Sequence, residues 1–212
     1  MRKPRLNDFS KYFFWLVGLL FMILAIMAVG ESFANDNPFQ IFWLCYLGLF
    51  LTGLGIFRRD TFLLISQMNI LMIPIIIWGI DFFYVVFFNQ SLFGITDYFF
   101  QGEKIFISVF INSQHLFIVP LSLLAIYFIG VKGKDMWKWS MAQLAVFFVI
   151  IRLFTPVEMN INYAFQPFSL IDFVPLKYYG FLWFILLFVM VYVTNWLLGR
   201  LGQLRMKNNR IQ

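Results

Sequence analysis

The chain has 212 residues, of which 62% are hydrophobic and 22% aromatic, and its mean hydropathy is +0.82. Only 12% of the residues are charged, about half the usual share in a soluble domain. A soluble core of this size cannot bury so much apolar surface. The net charge of +6 comes from a few cations at the ends of apolar runs. The composition therefore predicts an integral membrane protein and argues against nucleic acid as a partner.

Six apolar runs reach roughly 20 residues, the length that a helix needs to cross a bilayer. They predict an all-α, six-transmembrane-helix bundle at 12–198, between an N-terminal segment, 1–11, and a basic C-terminal tail, 199–212. The first run is too long for a signal peptide and has no clear cleavage site, so we expect an uncleaved span. The predicted spans are Tyr12–Val29, Pro38–Phe57, Thr61–Phe83, Lys104–Ile129, Met136–Phe154 and Tyr178–Leu198.

The cations are divided unevenly between the two sides of the predicted bundle. With the N-terminus inside, 13 of the 16 fall on the inner side, and only Lys104, Arg152 and Lys177 fall on the outer side. Because cytoplasmic segments carry the excess of Lys and Arg, we expect both termini in the cytoplasm and a multi-pass protein of the cytoplasmic (inner) membrane. The inner cations are Arg2, Lys3, Arg5, Lys11, Arg58, Arg59, Lys132, Lys134, Lys138, Arg200, Arg205, Lys207 and Arg210.

The only histidine, His115, lies within the fourth predicted span, 11 residues after Lys104 and roughly 16 Å into the membrane. Asn112 lies one turn before it, and Ser108 and Ser122 lie seven residues to either side, so the four share one helix face. A titratable ring inside lipid is costly unless it faces protein or water. Two interpretations stay open: a functional group, or a histidine that joins two helices.

Thr52 lies in the second predicted span at a depth of about 20 Å, within one helical turn of the depth predicted for His115. A hydroxyl beside an imidazole is the minimal nucleophile–base pair of covalent catalysis. In that hypothesis His115 is the general base, Thr52 the nucleophile, and Asn112 an orienting or oxyanion-donating group. The alternative for Thr52 is a hydroxyl that bonds back to its own helix backbone.

Two ionisable residues are predicted near the outer boundary, Asp81 on the third span and Arg152 on the fifth. Arg152 is expected to pair with Asp81 or with Glu158, an architectural role. Asp81 alone has a second interpretation, a carboxylate that is solvated at the lipid–water boundary. All three are candidate substrate-binding residues.

The connection after the fifth span is too aromatic and aliphatic for a free aqueous loop, so we expect it to fold back onto the outer bundle surface. It carries the polar cluster Asn160, Asn162 and Tyr163. This cluster either caps loop backbone or binds a polar head group, and in the second case its residues bind substrate.

Metal and cofactor sites have no support in the sequence. One histidine and one cysteine, Cys45, cannot form a usual zinc or haem site. There is no phosphate-binding loop, zinc-protease motif or nucleophile-elbow motif. We expect no metal and no cofactor. The expected partners are membrane lipids, with a lipid-like substrate if the protein is an enzyme and other membrane subunits if it is not.

Several short segments resemble a family of uncharacterised bacterial integral membrane proteins. The resemblance implies a six-helix bundle and no assigned activity. The segments are Pro74–Phe83, Leu92–Phe100, His115–Pro120 and Glu158–Tyr163.

Asn112, His115 and Pro120 are also similar to an arrangement on span four of the androgen-induced family of six-span threonine hydrolases, which cleave fatty acid esters of hydroxy fatty acids. Those enzymes have both termini inside and a threonine on span two. Thr52 lies in the corresponding span, without matching flanks. This resemblance implies an intramembrane hydrolase or acyl transferase that acts on lipid esters through His115. The alternative is a non-enzymatic membrane subunit, carrier or scaffold with a buried polar network.

Overall fold

The computed structural model describes residues 8–100, 106–131, 135–167 and 173–208. The predicted chain ends, 1–7 and 209–212, and Lys104 lie outside these ranges. Within them the regular structure is helical, without strands. The α-helices are α1 (Asp8–Ala34), α2 (Leu44–Arg58), α3 (Thr61–Phe88), α4 (Asp97–Phe100), α5 (Phe106–Asn112), α6 (Gln114–Ile129), α7 (Met136–Phe154) and α8 (Leu176–Asn208), and short 3₁₀ helices span Pro38–Phe42, Val157–Met159 and Ile161–Tyr163.

Five helical stretches in the described part of the chain are long and apolar enough to cross a membrane. This is the pattern of a multi-pass membrane protein, and it agrees with the all-α prediction. The stretches are Lys11–Ala34, Thr61–Phe88, Ser108–Ile129, Met136–Phe154 and Leu176–Leu201.

The second predicted span is interrupted. Pro38–Phe42 is a 3₁₀ helix and Trp43 is extended, so α2 begins only at Leu44. A proline in the first turn lacks a backbone N–H and suits a short helix start. The remaining helix has 15 residues, which corresponds to about 22 Å.

The fourth predicted span has a short break in its hydrogen-bond pattern at Ser113, between α5 and α6, although Ser113 keeps helical backbone angles and Ser108–Ile129 remains one spanning stretch. The Ser113 hydroxyl donates to the carbonyl oxygen of Phe110 at 2.6 Å, and the His115 ring bonds the carbonyl oxygen of Asn112. Side chains that bond nearby backbone in this way compete with the helical hydrogen bonds. The break therefore places His115 in the first turn of α6.

Helices α1, α2 and α3 pack as neighbours in chain order, and glycines allow the first two to approach closely. A Cβ atom on Gly18 would lie 2.8 Å from the carbonyl oxygen of Gly53, and one on Gly53 would lie 2.7 Å from that of Gly18. Such small-residue contacts are typical of membrane helices. After α2, Arg59 is left-handed and the Asp60 carboxylate accepts two N–H groups of the first turn of α3, which gives a tight turn.

Helix α3 is the central helix of the described bundle. Every residue from Leu64 to Met72 is buried, which requires neighbours on all sides of the helix. Its main partners are α2, α6, α7 and α8. Side chains near its N-terminal half meet α7 and α8, and side chains near its C-terminal half meet α6. Two separate groups of polar contacts form at these two levels.

Candidate functional site

His115 is held in one tautomer by its own chain. Its Nδ1 lies 3.0 Å from the carbonyl oxygen of Asn112. A carbonyl oxygen can only accept, so Nδ1 carries the proton and Nε2 is the ring's acceptor. The ring is half-buried, and Nε2 has no hydrogen-bond partner among the described residues. The imidazole therefore presents an unoccupied basic nitrogen.

The His115 ring stacks on Trp78 of α3, with ring centroids 4.6 Å apart and an interplanar angle of 23°. Trp78 Nε1 donates to the Tyr98 hydroxyl at 3.2 Å, and this hydroxyl donates to Asn112 Oδ1 at 3.4 Å. We call Trp78, Tyr98, Asn112 and His115 the histidine cluster. It joins α3, α4, α5 and α6, and it fixes the ring plane as well as the tautomer.

The Asn112 side chain is occupied within this cluster. Its Nδ2 donates to the carbonyl oxygen of Ser108 at 2.8 Å, and its Oδ1 accepts from Tyr98. Asn112 orients His115 through its backbone carbonyl. Its amide is therefore poorly placed for the predicted oxyanion-donating role.

Ser108 lies in α5, seven residues before His115, and its hydroxyl is not bonded to the His115 ring. The Ser108 hydroxyl instead donates to the Glu31 carboxylate and ties α5 to α1.

Gln114, which the sequence analysis did not single out, lies directly beside His115 as the first residue of α6. Its side chain is 2% exposed, and neither its nitrogen nor its oxygen has a hydrogen-bond partner in the described part of the chain. An amide next to the only histidine of an apolar run was the available sequence signal.

Thr52 does not pair with His115. Its side chain is fully buried, and its hydroxyl has no hydrogen-bond partner within the described residues. The predicted nucleophile–base pair is therefore wrong in this structure.

The separation follows from the level of each residue along α3. Glycines on either side of Thr52 pack against Leu71 and Leu64, so Thr52 lies between these two levels. His115 stacks on Trp78, which is seven residues beyond Leu71, or roughly 10 Å along the helix. The depth predicted for Thr52 assumes a helix from Pro38 onwards, whereas α2 begins only at Leu44, after a 3₁₀ helix and the extended Trp43.

Asp81 organises the loop that follows its own helix. Its buried carboxylate accepts from the backbone N–H groups of Leu92, Phe93 and Thr96 at 2.7–2.8 Å, and from the hydroxyls of Ser91 and Thr96 at 3.0 and 2.7 Å. These five donors satisfy the charge, and no cation of the described ranges pairs with it.

Arg152 contacts neither Asp81 nor Glu158, so the predicted ion pairs are wrong. Its Nη1 donates to the carbonyl oxygen of Ala164 at 2.9 Å, and its guanidinium lies over the rings of Phe148 and Phe165. Glu158 is exposed in its 3₁₀ helix. Backbone donors close to Asp81 in sequence replace the cation that charge counting had suggested.

Asn162 bridges the break between the 3₁₀ helix and α2. Its Oδ1 accepts from the Leu44 N–H at 2.9 Å, and its Nδ2 donates to the Phe42 carbonyl oxygen at 2.8 Å. Asn160 acts within its own loop: its Oδ1 accepts from the N–H groups of Phe165 and Gln166 at 3.0 and 2.9 Å. Both amides cap backbone, which is the first of the two predicted alternatives.

The loop is also held from α8. Tyr179 donates to the Tyr163 carbonyl oxygen at 2.7 Å, and Trp183 donates to that of Asn162 at 3.1 Å. Burial, and next the charges of Asp81 and Asp97, raise the pKa of Tyr163 above its ordinary value, so its phenol stays protonated at neutral pH. The described part of the connection, 155–167, therefore folds back onto the bundle as predicted.

A second group of polar side chains lies between α3, α7 and α8. Gln67 and Gln143 exchange two amide hydrogen bonds, at 2.9 and 3.1 Å. Asn69 Nδ2 donates to Ser140 Oγ and to Asn195 Oδ1, both at 3.3 Å. We call Gln67, Asn69, Ser140, Gln143 and Asn195 the amide cluster. Polar residues in three different apolar runs were the signal for it, but the sequence does not say which runs touch.

Comparisons with known proteins give no match. No protein-family model matches the chain, and neither a curated protein nor a solved structure is significantly similar to it. The arrangement of its own side chains is therefore the basis for inferring what it does.

Proposed function

We propose that the chain is a six-span protein of the cytoplasmic membrane with both termini in the cytoplasm. The 3₁₀ helix Pro38–Phe42 and α2 together form the sixth span, with about 10 Å and about 22 Å of rise. The packing of α2 between α1 and α3 supports this assignment, and so does the excess of cations on one side.

Reporter fusions test the topology. A fusion after Arg59 should report cytoplasm, whereas fusions near Asp36 and Pro167 should report the outside. Fusions at Arg59 and Asp36 that report the same side would exclude α2 as a span, and the six-span arrangement with it.

We further infer that the histidine cluster, in the outer half of this bundle, is the site of an intramembrane hydrolase or acyl transferase that acts on lipid esters. The observation that carries this proposal is the His115 ring, with Nδ1 held by a carbonyl and Nε2 unoccupied. A base whose ring is oriented by a third group is the arrangement that general-base catalysis uses.

Aromatic side chains beside the ring supply apolar surface for an acyl chain. Trp78 stacks on Phe82 with centroids 5.1 Å apart, and Phe99 packs against both rings. An ester whose chain lies along these rings would bring its carbonyl group to the edge of His115. The resemblance of Asn112, His115 and Pro120 to the androgen-induced hydrolases points to the same substrate class, and membrane lipids are the partners it requires.

The reaction proceeds without Thr52. His115 Nε2 takes a proton from water as the water oxygen adds to the ester carbonyl carbon. The tetrahedral intermediate then expels the alcohol oxygen, which receives the proton from the imidazolium, and an acid and an alcohol result. In acyl transfer, an alcohol takes the place of water and a new ester results. The protein supplies the base and its orientation.

Turnover of fluorogenic lipid esters by the purified protein in lipid nanodiscs tests the proposal. Wild type should release acid at a rate that His115→Ala lowers at least about 100-fold, the usual contribution of a general base. Turnover that survives in His115→Ala, or no turnover by wild type across esters of several chain lengths, would overturn it.

A second candidate is a non-enzymatic membrane subunit or scaffold, whose partners would be other membrane subunits. The amide cluster favours it, because these side chains join three helices and bind one another. In this case His115→Ala would lower the melting temperature while His115→Gln restored it, and wild type would hydrolyse no ester.

A further inference from the structure

The Gln114 side chain is buried at a cost in free energy, because its amide has no hydrogen-bond partner in the described part of the chain. A buried amide without hydrogen bonds gives up its contacts with water and gains nothing in their place, and buried polar groups are nearly always paired. Yet both polar atoms of this 2% exposed side chain lack a partner within the described residues. The hydroxyls of Thr52, Ser122 and Thr194 also lack a partner within the described residues, but Gln114 is the one residue among these in which two polar atoms, a donor and an acceptor, are left open. These two open atoms mark Gln114 as a place where a group from outside the chain can bind.

The position of Gln114 says what kind of group that is. It is the first residue of α6, a helix of 16 residues, and the preceding Ser113 provides no side-chain cap. The Ser113 hydroxyl bonds backwards, to Phe110. Ser113 keeps helical backbone angles between α5 and α6, and the Leu116 N–H is already bound to the Ser113 carbonyl oxygen. The donor at this place is therefore the Gln114 N–H₂ group itself, which binds an acceptor oxygen.

The neighbouring side chains of Asn112 and His115 are not available to donate a hydrogen bond to a ligand. The Asn112 amide is engaged by Ser108 and Tyr98. His115 Nδ1 is engaged as well, and its Nε2 can only accept from a ligand. Gln114 is next to His115 in the chain, and the two side chains differ in what they offer a ligand: the amide has an open donor, and His115 Nε2 is an acceptor.

We propose that the Gln114 amide, at the start of α6, binds the carbonyl oxygen of the lipid ester on which His115 acts. The assignment rests on the proposed function for its substrate class. When water adds to the ester carbon, the oxygen gains negative charge, and a donor already in place stabilises that charge. Gln114 then sets specificity for acyl esters over ethers, which lack the oxygen.

Binding of two substrate analogues that cannot be hydrolysed tests the assignment. One analogue replaces the ester by a ketone and keeps the carbonyl oxygen, and the other replaces it by an ether. Wild type should bind the ketone about tenfold more tightly than the ether, the factor expected for one hydrogen bond. Gln114→Leu, and Gln114→Met as a second apolar variant, should bind both analogues equally.

Ser122→Ala is the matched control, because Ser122 is also fully buried on α6 with an unpartnered hydroxyl but lies two turns from His115. It should keep the preference for the ketone. Equal binding of both analogues by wild type, or an unchanged preference in the two Gln114 variants, would overturn the assignment.

The binding test is separate from the test of catalysis. A ketone preference that disappears in Gln114→Leu supports the carbonyl site even if wild type hydrolyses no ester, in which case only the proposed enzyme fails. Ester turnover that depends on His115 but not on Gln114, without any ketone preference, would leave the enzyme and remove this role of Gln114.

Discussion

The histidine cluster and the amide cluster both include residues of the central helix α3, but they differ in how many of their polar atoms have hydrogen-bond partners. In the amide cluster, Gln67 and Gln143 bond each other in both directions. In the histidine cluster, some hydrogen-bonding groups are left open. His115 Nδ1 is bonded to the Asn112 carbonyl oxygen but Nε2 has no partner, and the adjacent Gln114 has no partner among the described residues. Asn69 Oδ1 in the amide cluster and the Thr52 hydroxyl also lack a partner among the described residues, so a missing partner alone does not mark a site. What distinguishes the histidine cluster is that the open groups include a titratable ring.

Asp81 is the strongest test of the structural side of this comparison. Asp81→Ala would leave the N–H groups of Leu92, Phe93 and Thr96 without their acceptor, so we expect a loss of about 3–5 kcal/mol in the free energy of unfolding. Thermal unfolding in detergent measures it. Asp81→Ala combined with Arg152→Ala should give the sum of the single losses, because the two side chains do not touch. Losses of unfolding free energy that do not add would show that Asp81 and Arg152 interact, as the sequence had predicted.

His115 should show the opposite behaviour. His115→Ala should lower ester turnover at least about 100-fold and shift the melting temperature by less than Asp81→Ala does, since it loses one hydrogen bond to backbone and the stack on Trp78, whereas Asp81→Ala removes the acceptor of five donors. His115→Gln is the control: it keeps a polar side chain but no ring base, so it should be equally inactive. Recovery of turnover in His115→Gln would show that the ring is not the base.

The amide cluster predicts a smaller, pairwise effect. Gln67→Leu leaves the Gln143 amide without its partner and should cost about 1–2 kcal/mol in unfolding free energy, the range reported for hydrogen bonds between membrane helices. Gln67→Leu with Gln143→Leu should cost less than the sum of the singles, because no amide is then left unmatched. Both variants should keep ester turnover, and a loss of turnover at constant stability would place this cluster in the mechanism.

Thr52 should show the smallest effect. Thr52→Val keeps the shape and removes a hydroxyl that has no partner in the described part of the chain, so unfolding free energy should change little or rise slightly, and turnover should stay the same. The assay with fluorogenic lipid esters in nanodiscs measures the turnover. A loss comparable to that of His115→Ala would revive the threonine nucleophile.

The helices were readable from the sequence because length and apolar composition decide them. The start of α3 at Thr61 and both ends of α7, Met136 and Phe154, agree with the prediction. The breaks at Trp43 and Ser113 were missed, because each involves one side chain that bonds the backbone of an apolar run. At Trp43 this side chain is the distant Asn162, and at Ser113 it is the serine itself.

The candidate site was readable only in part. The sequence singles out His115 by its chemistry, but helical periodicity gives the face of a residue and not its neighbour on another helix. Asp81 was therefore paired with a distant cation when its partners were the N–H groups of the next loop. Thr52 was matched to His115 by a depth calculated for a continuous helix, but the second predicted span is interrupted at Trp43.

The central claim concerns one ring, and the chain has only one histidine, so ¹⁵N-histidine NMR of the protein in lipid bilayers observes it without overlap. We predict a neutral ring with the proton on Nδ1 and a bare Nε2, whose resonance shifts when an unhydrolysable lipid ketone is added. A ring with its proton on Nε2, or an Nε2 resonance indifferent to the ketone, would contradict the account of His115 as an open base.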